Sequence, residues 1–546
     1  MMITLEGKSV FGGVAIGKIQ FYKRNEITIK RTRVEDVEAE VERFQNAKAK
    51  TLELLKGLYE KALEDVGEAN AMIFEAHQLM LEDPDYVESI ENIIRTQDVN
   101  AEYAIGATAD NFAAIFEAMD DAYMQGRAAD VRDVSERLLQ ALSSQNETVM
   151  VMDEPVIIAA DDLVPSETVQ LDKEKVLSFV TMYGSANSHT AILARTMNIP
   201  AVIGLGEALK EEYDGKVAIV DGVDGKVYID PDEEVKKEYE IRRQADKEER
   251  EELLKLRREP DITKDGRKIE IYANIGNMDD LNSVLYYGTA GIGLLRSEFQ
   301  YLGRENYPRE NELFLAYKKI AETMGEKLTV IRTADLGADK QAEYLNIPDE
   351  TNPIMGNRGI RLCLDRKRMF KAQLRAIFRA SAYGNLALMY PMISSEEEMD
   401  EIEEIIREVK IGLDEKGIPY KHIKTGIMIE TPAAVMISRE LARRVDFLSL
   451  GTNDLSQYTL AMDRQNPLLR KKYNDHHPAV LRMIQMVIEA GHAENRRVCI
   501  CGELAADTAL TEEFLRMGVD CLSVVPACIL PVRRALRQVD LSDMRR

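Results

Sequence analysis

The sequence is poor in cysteine, in long apolar runs and in net positive charge. Its five cysteines all lie after residue 362 and follow no zinc-site spacing. An odd number without such spacing argues against a disulfide framework and against a zinc site, and it indicates free thiols in a reducing compartment. We therefore expect a cytoplasmic protein.

No segment has the pattern of a signal peptide or of a membrane span. The first residues lack a basic segment followed by an apolar run, and no stretch approaches ~18 consecutive apolar residues. With 95 acidic against 71 basic residues the formal net charge is -24, so the phosphate backbone of a nucleic acid would be repelled. We expect neither membrane insertion nor nucleic-acid binding.

The first 229 residues combine two patterns. Strand-like runs stand near the start and after residue 145, whereas in residues 33–145 apolar residues recur three and four apart and glycine is scarce. An α/β domain over 1–22 and 146–229 is therefore predicted, with an all-α subdomain, 23–145, inserted into it. The strand-like runs are Lys18–Tyr22, Val149–Met152, Val156–Ala159, Val176–Val180, Ala201–Ile203 and Val217–Val220.

A very polar segment separates this half from the rest. It opens at Asp230-Pro231 and stops at Pro260, and three Glu–Lys or Glu–Arg pairs spaced i,i+4 support an exposed helix. A charge run like this is usually a solvated helix face. Because it lies between two differently patterned halves, it also predicts a helical linker over 230–260.

Eight strand-like runs alternate with helical stretches after Pro260. Eight βα units in about 285 residues fit a (β/α)8 TIM barrel over 261–546, a fold of ~250 residues in its usual size. A doubly wound open sheet is the alternative. The runs are Ile269–Ala273, Gly291–Leu295, Leu328–Arg332, Leu386–Tyr390, Thr425–Ile429, Phe447–Leu450, Val498–Cys501 and Cys521–Val525.

Charged and polar residues follow six of these eight runs. Because barrel enzymes carry their active sites at the C-terminal strand ends, such residues predict one site. Arginines there favour an anionic ligand, and Glu430 and Asp454 offer hard oxygen ligands for Mg²⁺. The site is predicted to bind a small phosphate and carboxylate compound with magnesium. The residues are Asn274, Arg296, Arg332 to Asp335, Glu430, Asn453-Asp454 and Cys501-Gly502-Glu503.

One histidine stands at a predicted helix start. His189 follows a loop of small residues, in which Asn187 or Ser188 can cap the helix, and it precedes the helix-forming run Ala191–Met197. Free N–H groups and the positive end of the helix dipole favour negative charge there, so a phosphoryl group on His189 would be stabilised. A histidine that only caps the helix or faces solvent is the alternative.

Nine motifs are distributed over essentially the whole chain. They are Glu75–Pro84, Gly126–Asp133, Asp161–Ser166, Ser188–Arg195, Gly293–Phe299, Arg332–Lys340, Asn352–Arg358, Gly451–Arg464 and Cys501–Glu503. Taken in chain order, they resemble one family, enzyme I of the bacterial phosphoenolpyruvate-dependent sugar phosphotransferase system.

The resemblance implies a reaction and the residues that perform it. Phosphoenolpyruvate would phosphorylate His189, pyruvate would be released, and the phosphoryl group would pass to a histidine of the carrier protein HPr, as the first step of sugar uptake. Cys501 would be the proton donor. The implied substrate-binding residues are Arg296, Arg332, Asn453, Asp454 and Arg464, and the implied Mg²⁺ ligands are Glu430 and Asp454.

The resemblance also implies partners and motion. The barrel would form a homodimer, and HPr would dock on the inserted helices, where Glu82 and Asp83 are candidate contacts. Since nucleophile and substrate site lie in different domains, the α/β domain would swing about the 230–260 linker to serve donor and acceptor in turn.

A few positions depart from the family pattern, although none removes a charged or nucleophilic group. They are Ser185, Ala186, Asn187, Ala338 and Asn357. Two alternative functions stay open. A phosphoenolpyruvate synthase or pyruvate phosphate dikinase would carry a large nucleotide-binding domain, and no P-loop pattern occurs. A non-catalytic regulator that binds HPr-like partners would have no need of every charged site residue.

Overall fold

The computed structural model describes residues 2–22, 29–65, 68–118, 122–143, 152–163, 165–168, 171–184, 189–197, 199–278, 280–302, 304, 306–337, 340, 343–348, 350–466, 468–469 and 471–545. They form two compact units, Met1–Glu249 and Arg250–Arg546.

The first unit contains a mixed sheet of eight strands. Their order across the sheet is β1-β8-β7-β3-β4-β5-β6-β2; β3 to β6 run parallel, and the other pairings are antiparallel. This is the predicted α/β domain, although residues 149–151 of one expected strand lie outside the described residues. The strands are β1 (Ile3–Glu6), β2 (Lys8–Phe11), β3 (Val14–Phe21), β4 (Val156–Ala160), β5 (Val176–Thr181), β6 (Ala201–Ile203), β7 (Val217–Asp221) and β8 (Lys226–Ile229).

Among the residues described between β3 and β4, five helices occur, as the spacing of apolar residues predicted. They pack around their own apolar core, in which Phe44, Leu55, Phe74 and Leu138 are buried. Asp83 caps the third helix, accepting a hydrogen bond from the backbone N–H of Asp85 at 2.8 Å. The helices are α1 (Val37–Asp65), α2 (Glu68–Glu82), α3 (Pro84–Gln97), α4 (Ala101–Glu117) and α5 (Ala122–Ser143).

Three more helices follow: α6 (Pro165–Thr168), α7 (His189–Met197) and α8 (Glu233–Lys255). Helix α8 is the predicted polar segment, and its start is bound to the α/β sheet through the buried carboxylate of Asp221. Tyr239 donates to this carboxylate at 3.0 Å and Arg242 at 2.7 Å. In the remaining helical turns of α8 the side chains are mostly exposed.

The second unit is a closed barrel of eight parallel strands, so the predicted TIM barrel is confirmed and the open sheet is excluded. Each strand begins and ends within two residues of its predicted run. The strands are β9 (Glu270–Ile275), β10 (Gly291–Arg296), β11 (Leu328–Arg332), β12 (Leu386–Tyr390), β13 (Lys424–Ile429), β14 (Phe447–Leu450), β15 (Arg497–Ile500) and β16 (Cys521–Val524).

Amphipathic helices surround the barrel and bury their apolar faces against the outside of the strands. They are α9 (Asp280–Tyr287), α10 (Glu310–Met324), α11 (Ile360–Asp365), α12 (Lys367–Ser381), α13 (Glu396–Glu415), α14 (Pro432–Met436), α15 (Ser438–Arg444), α16 (Thr452–Leu460), α17 (Pro478–Ala493), α18 (Thr511–Met517) and α19 (Ile529–Gln538). All strands run in one direction, so their C-terminal ends form a single rim.

Candidate active site

The candidate nucleophile stands at a helix start. Helix α7 begins at His189, and its residues Thr190, Ala191 and Ala194 are buried. The backbone N–H groups of a first helical turn have no partner within the helix, so this position suits an anion. The proposed caps Asn187 and Ser188, and the departures Ser185 to Asn187, lie outside the described residues.

The barrel rim collects the other predicted residues. Arg296 and Arg332 are the last residues of β10 and β11, Glu430 and Cys501 come directly after β13 and β15, and Asp454 lies in the first turn of α16. Arg296 is exposed, whereas Arg332, Glu430 and Cys501 are buried. The charges of Glu430, Arg332 and Arg296 all influence the thiol of Cys501, so these four side chains share one site.

Asp335 organises the cations of the rim. Its carboxylate is fully buried and binds Arg332 at 3.3 Å, Lys340 at 3.0 Å and Arg358 at 3.1 Å. The carboxylate of Glu298 accepts one hydrogen bond from Arg332 at 2.8 Å and another from the backbone N–H of Asp335. Although burial opposes ionisation, the three cations hold the pKa of Asp335 well below its usual range.

The guanidinium of Arg332 has one N–H donor that is not used within the described residues. Within the described part of the chain, its buried Nε has no hydrogen-bond partner, while its two terminal nitrogens contact Glu298, Asp335 and the sulfur of Met428. An unsatisfied buried N–H is costly unless a ligand accepts from it. The unpaired Nε of Arg332 therefore fits an anionic ligand at the C-terminal end of β11.

Two carboxylates form the acidic side of the site. Burial, together with the charges of Asp454 and Asp335, raises the pKa of Glu430 to about 8. Oε1 of Glu430 accepts a hydrogen bond from Met392 N at 2.7 Å, and Asp454 accepts from Arg358 at 3.1 Å. Because burial and two nearby carboxylates disfavour the charged form of Glu430, an added cation would be favourable there, so Glu430 and Asp454 fit Mg²⁺.

Among the described residues, no group of three or more His, Cys, Asp or Glu side chains is arranged to hold a metal. Glu430 and Asp454 supply only two ligands of this kind. The remaining oxygens of an octahedral Mg²⁺ shell would have to come from the ligand and from water.

A second cluster contains Asn453, Arg464 and Glu503. Oε1 of Glu503 accepts from Asn453 at 2.7 Å and from Arg464 at 2.9 Å, and the Glu503 N–H donates back to Asn453 at 2.7 Å. A cavity of about 430 Å³ is lined by these three residues and by Thr452, Ser456 and Tyr473, among others. Asn453 and Arg464 thus lie together, with Glu503 as their common partner.

The thiol of Cys501 lies inside the barrel. Its neighbours are apolar side chains such as Leu294, Val330 and Met389, and its Sγ donates to the carbonyl of Leu450 at 3.4 Å. Burial raises the pKa of Cys501 to about 11. The thiol therefore stays protonated throughout the neutral range, as a proton donor must.

Cys499 lies on the same interior side but in a different layer, as the two-residue spacing predicts. It packs with Tyr272 and Cys521. Gly502 is required next to Cys501, since a Cβ there would overlap Oγ1 of Thr452.

Three residues of the network escaped prediction as site residues: Glu298, Lys340 and Arg358. Each lies inside a motif, yet none follows directly on a strand end; Arg358 stands just before α11. The sequence could have indicated them, because each is a charged residue inside one of the nine motifs. Asn357, a departure from the family pattern, donates to Asp365 at 2.6 Å, and Ala338 lies outside the described residues.

Three family models match the chain in order. They are "PEP-utilising enzyme, N-terminal" over residues 6–127, "PEP-utilising enzyme, mobile domain" over 152–225 and "PEP-utilising enzyme, PEP-binding domain" over 250–541. The chain is 43% identical over 538 residues to the phosphoenolpyruvate-protein phosphotransferase of Bacillus sp. (strain S), covering 98% of this chain and 93% of that protein. It belongs to the phosphoenolpyruvate-protein phosphotransferase family.

The Bacillus subtilis (strain 168) member of the family is 42% identical over 544 residues, covering 99% of this chain and 95% of that protein. A solution structure of an Enzyme I protein is 37% identical, covers 44% of this chain and 99% of its own, and has a TM-score of 0.40. The family predicted from the nine motifs is confirmed.

The candidate residues fall in two of the matched regions. His189 lies in the mobile-domain match, and the barrel rim lies in the PEP-binding match. No helix in the described ranges has the length and apolar character to cross a bilayer.

Proposed function

We propose that the chain transfers the phosphoryl group of phosphoenolpyruvate to His189, releases pyruvate, and passes the group to a histidine of HPr as the first step of sugar uptake. The observation that carries the proposal is the barrel rim. A protonated thiol, a guanidinium with a spare donor and a pair of carboxylates meet there, and one phosphorylated carboxylic acid would use all of them.

The cations of the rim would hold the substrate. Arg332, with its spare Nε, and Arg296, exposed at the next strand end, would bind its negative charges. Arg464 and Asn453 would bind it from the second cluster, where Glu503 orients both. Arg358 joins this set on structural grounds, because its guanidinium spans Asp335 and Asp454.

Glu430 and Asp454 would bind Mg²⁺, with phosphoenolpyruvate completing the shell. When bound, the ion would draw negative charge away from the transferring phosphoryl group and from the enolate oxygen. A cation would also stabilise both neighbouring carboxylates in their charged forms.

The reaction has two steps, phosphoryl transfer to His189 and proton transfer to the enolate carbon. The P–O bond of phosphoenolpyruvate breaks as a P–N bond to His189 forms, which leaves the enolate of pyruvate in the barrel. The enolate carbon then takes the proton of Cys501, and the resulting thiolate regains a proton from water.

Motion and partners complete the proposal. In-line transfer needs His189 within ~3.5 Å of phosphorus, first at the barrel and then at HPr, so the domain formed by 1–22 and 146–229 would swing on the 230–260 linker. HPr would dock on the subdomain 23–145, and the barrel 261–546 would form the homodimer. We place the enzyme in the cytoplasm, where both partners would meet it.

The alternatives are less well supported. The curated relatives over nearly the whole chain are named as phosphotransferases acting on protein, which disfavours a phosphoenolpyruvate synthase or pyruvate phosphate dikinase. A non-catalytic regulator would not need a buried cation network around a protonated thiol.

Labelled phosphoenolpyruvate tests the proposal directly. With Mg²⁺ present, the protein should take up about one acid-labile phosphoryl group per chain and release an equal amount of pyruvate. Added HPr should then remove the label, and a chelator added before the substrate should prevent uptake. Label that enters the protein but never reaches HPr would refute the proposed acceptor, and absence of uptake would refute the reaction.

Replacing Cys501 with serine should slow pyruvate formation by about two to three orders of magnitude, the usual worth of a general acid. A hydroxyl is a far weaker acid than a thiol, whereas the smaller oxygen fits the same space, so phosphoenolpyruvate binding should persist. Single-turnover pyruvate release, followed with lactate dehydrogenase, measures the effect.

The pH profile provides a check on the same residue. Because the pKa of Cys501 is raised to about 11, the acid form is lost only near that pH, and no alkaline decline assigned to this thiol should occur near pH 8.5.

A Cys499→Ser variant is the matched control and should release pyruvate normally. Near-normal release by Cys501→Ser would mean that another group supplies the proton.

A further inference from the structure

Asn274 occupies the C-terminal end of β9 with every donor of its side-chain amide engaged. Nδ2 donates to the backbone carbonyl of Cys501 at 2.8 Å and to that of Ser523 at 2.9 Å, and Oδ1 accepts from the Ser523 hydroxyl at 2.6 Å. Asn274 and Ser523 are buried. Two carbonyl acceptors and one hydroxyl donor allow a single orientation of the amide.

These bonds connect three consecutive strands of the barrel. In the closed sheet β15 pairs with β16 and β16 pairs with β9, so the amide of Asn274 reaches past Ser523 of β16 to the residue that follows β15. A strand normally bonds only to its immediate neighbours. The Asn274–Cys501 hydrogen bond is an additional link at the rim, in which a side chain joins β9 to the residue after β15.

Cys501 is held from its other flank as well. Its backbone N–H donates to the carbonyl of Leu450 at 3.0 Å, at the end of β14, and its Sγ donates to the same oxygen at 3.4 Å. With the N–H fixed on β14 and the carbonyl fixed by Asn274, the Cys501 backbone has little freedom to rotate. Only the side-chain torsion is left to direct the thiol.

We propose that Asn274 is a positioning residue for the proton-donating step, because its amide fixes the Cys501 backbone so that the thiol faces the enolate carbon. The proposal rests on the proposed role of Cys501. Proton transfer to carbon demands close alignment, and a misplacement of about 1 Å can cost about a hundredfold in rate. Asn274 itself need not touch the substrate.

The test compares single-turnover pyruvate release in Asn274→Ala, Cys501→Ser and the double variant, all as full-length protein. We expect Asn274→Ala to lower the rate at saturating phosphoenolpyruvate about ten- to hundredfold while the half-saturating concentration changes less than about twofold. The double variant should be no slower than Cys501→Ser alone, since a misplaced thiol cannot matter where no thiol exists.

Ser523→Ala is the matched control. It removes one hydrogen bond of the same buried network but leaves both donors of Asn274 in place, so the rate should stay within about threefold of the wild type. If Asn274→Ala does not fold, as thermal unfolding would reveal, Asn274→Ser is measured in the same way, because its short hydroxyl cannot reach the Cys501 carbonyl.

Three results would overturn the positioning role: an unchanged rate in Asn274→Ala, an equal loss in Ser523→Ala, or losses that multiply in the double variant. The last would indicate a general structural effect. Failure of the underlying role of Cys501 gives a different pattern, in which Cys501→Ser itself releases pyruvate at the normal rate.

Discussion

Replacing His189 with alanine should abolish label uptake from phosphoenolpyruvate completely. The His189 imidazole is the proposed nucleophile, and the alanine side chain has no group that could attack phosphorus. Binding of phosphoenolpyruvate with Mg²⁺ should persist, because the proposed ligands all belong to the Arg250–Arg546 unit. Acid-labile label after incubation with labelled phosphoenolpyruvate, and calorimetric binding, are the two measurements.

His422→Ala is a suitable control, since His422 is an exposed histidine in a loop of the barrel unit. It should take up label at the normal rate. Acid-labile label that persists in His189→Ala would locate the phosphoryl acceptor elsewhere, with the remaining histidines His77, His476, His477 and His492 as the candidates.

Replacing Arg358 with alanine should reduce phosphorylation at least a thousandfold and destabilise the barrel by about 3–5 kcal/mol, the usual effect of removing one partner of a buried ion pair. The change leaves Asp335 and Asp454 without a shared cation beside Glu430. Repulsion among the carboxylates would then rise and the substrate phosphate would lose a cation. Urea unfolding gives the stability, and label uptake gives the rate.

Two variants separate charge from geometry. Arg358→Lys keeps the cation but loses the paired contact of Nε and Nη2 with the two oxygens of Asp335, so it should recover much of the stability and little of the activity. Arg361→Ala removes an arginine of the same segment that bonds to the carbonyls of Met355 and Gly356, and it should phosphorylate almost normally. Normal activity in Arg358→Ala would exclude Arg358 from the site.

Much of the fold could be predicted because the barrel strands are mostly buried. A strand covered on both faces reads as a short continuous apolar run, and helices alternate with such runs at regular spacing. Residues 386–390, all buried, are an example. The same regularity located Glu430 and Cys501, since a residue that follows a parallel strand must lie at the rim.

The pairing of charges could not be predicted in this way. Arg358 reaches Asp454 and Asp335 across 96 and 23 residues of chain, and Glu298 reaches Arg332 across 34. Periodicity describes neighbours along one element, whereas these contacts depend on how separate loops fold over the barrel mouth. The protonated state of Cys501 likewise follows from burial, which the position after β15 indicates only in part.

The single carboxylate of Asp335 beneath three cations constrains how this enzyme could change through evolution. Arg332, Lys340 and Arg358 all bind this carboxylate, so a substitution at any of them alters the electrostatic setting of the other two. Their mutational effects should therefore be epistatic. Adaptation to a different anionic substrate would require changes at several of these positions together, and single-residue libraries would find few viable intermediates.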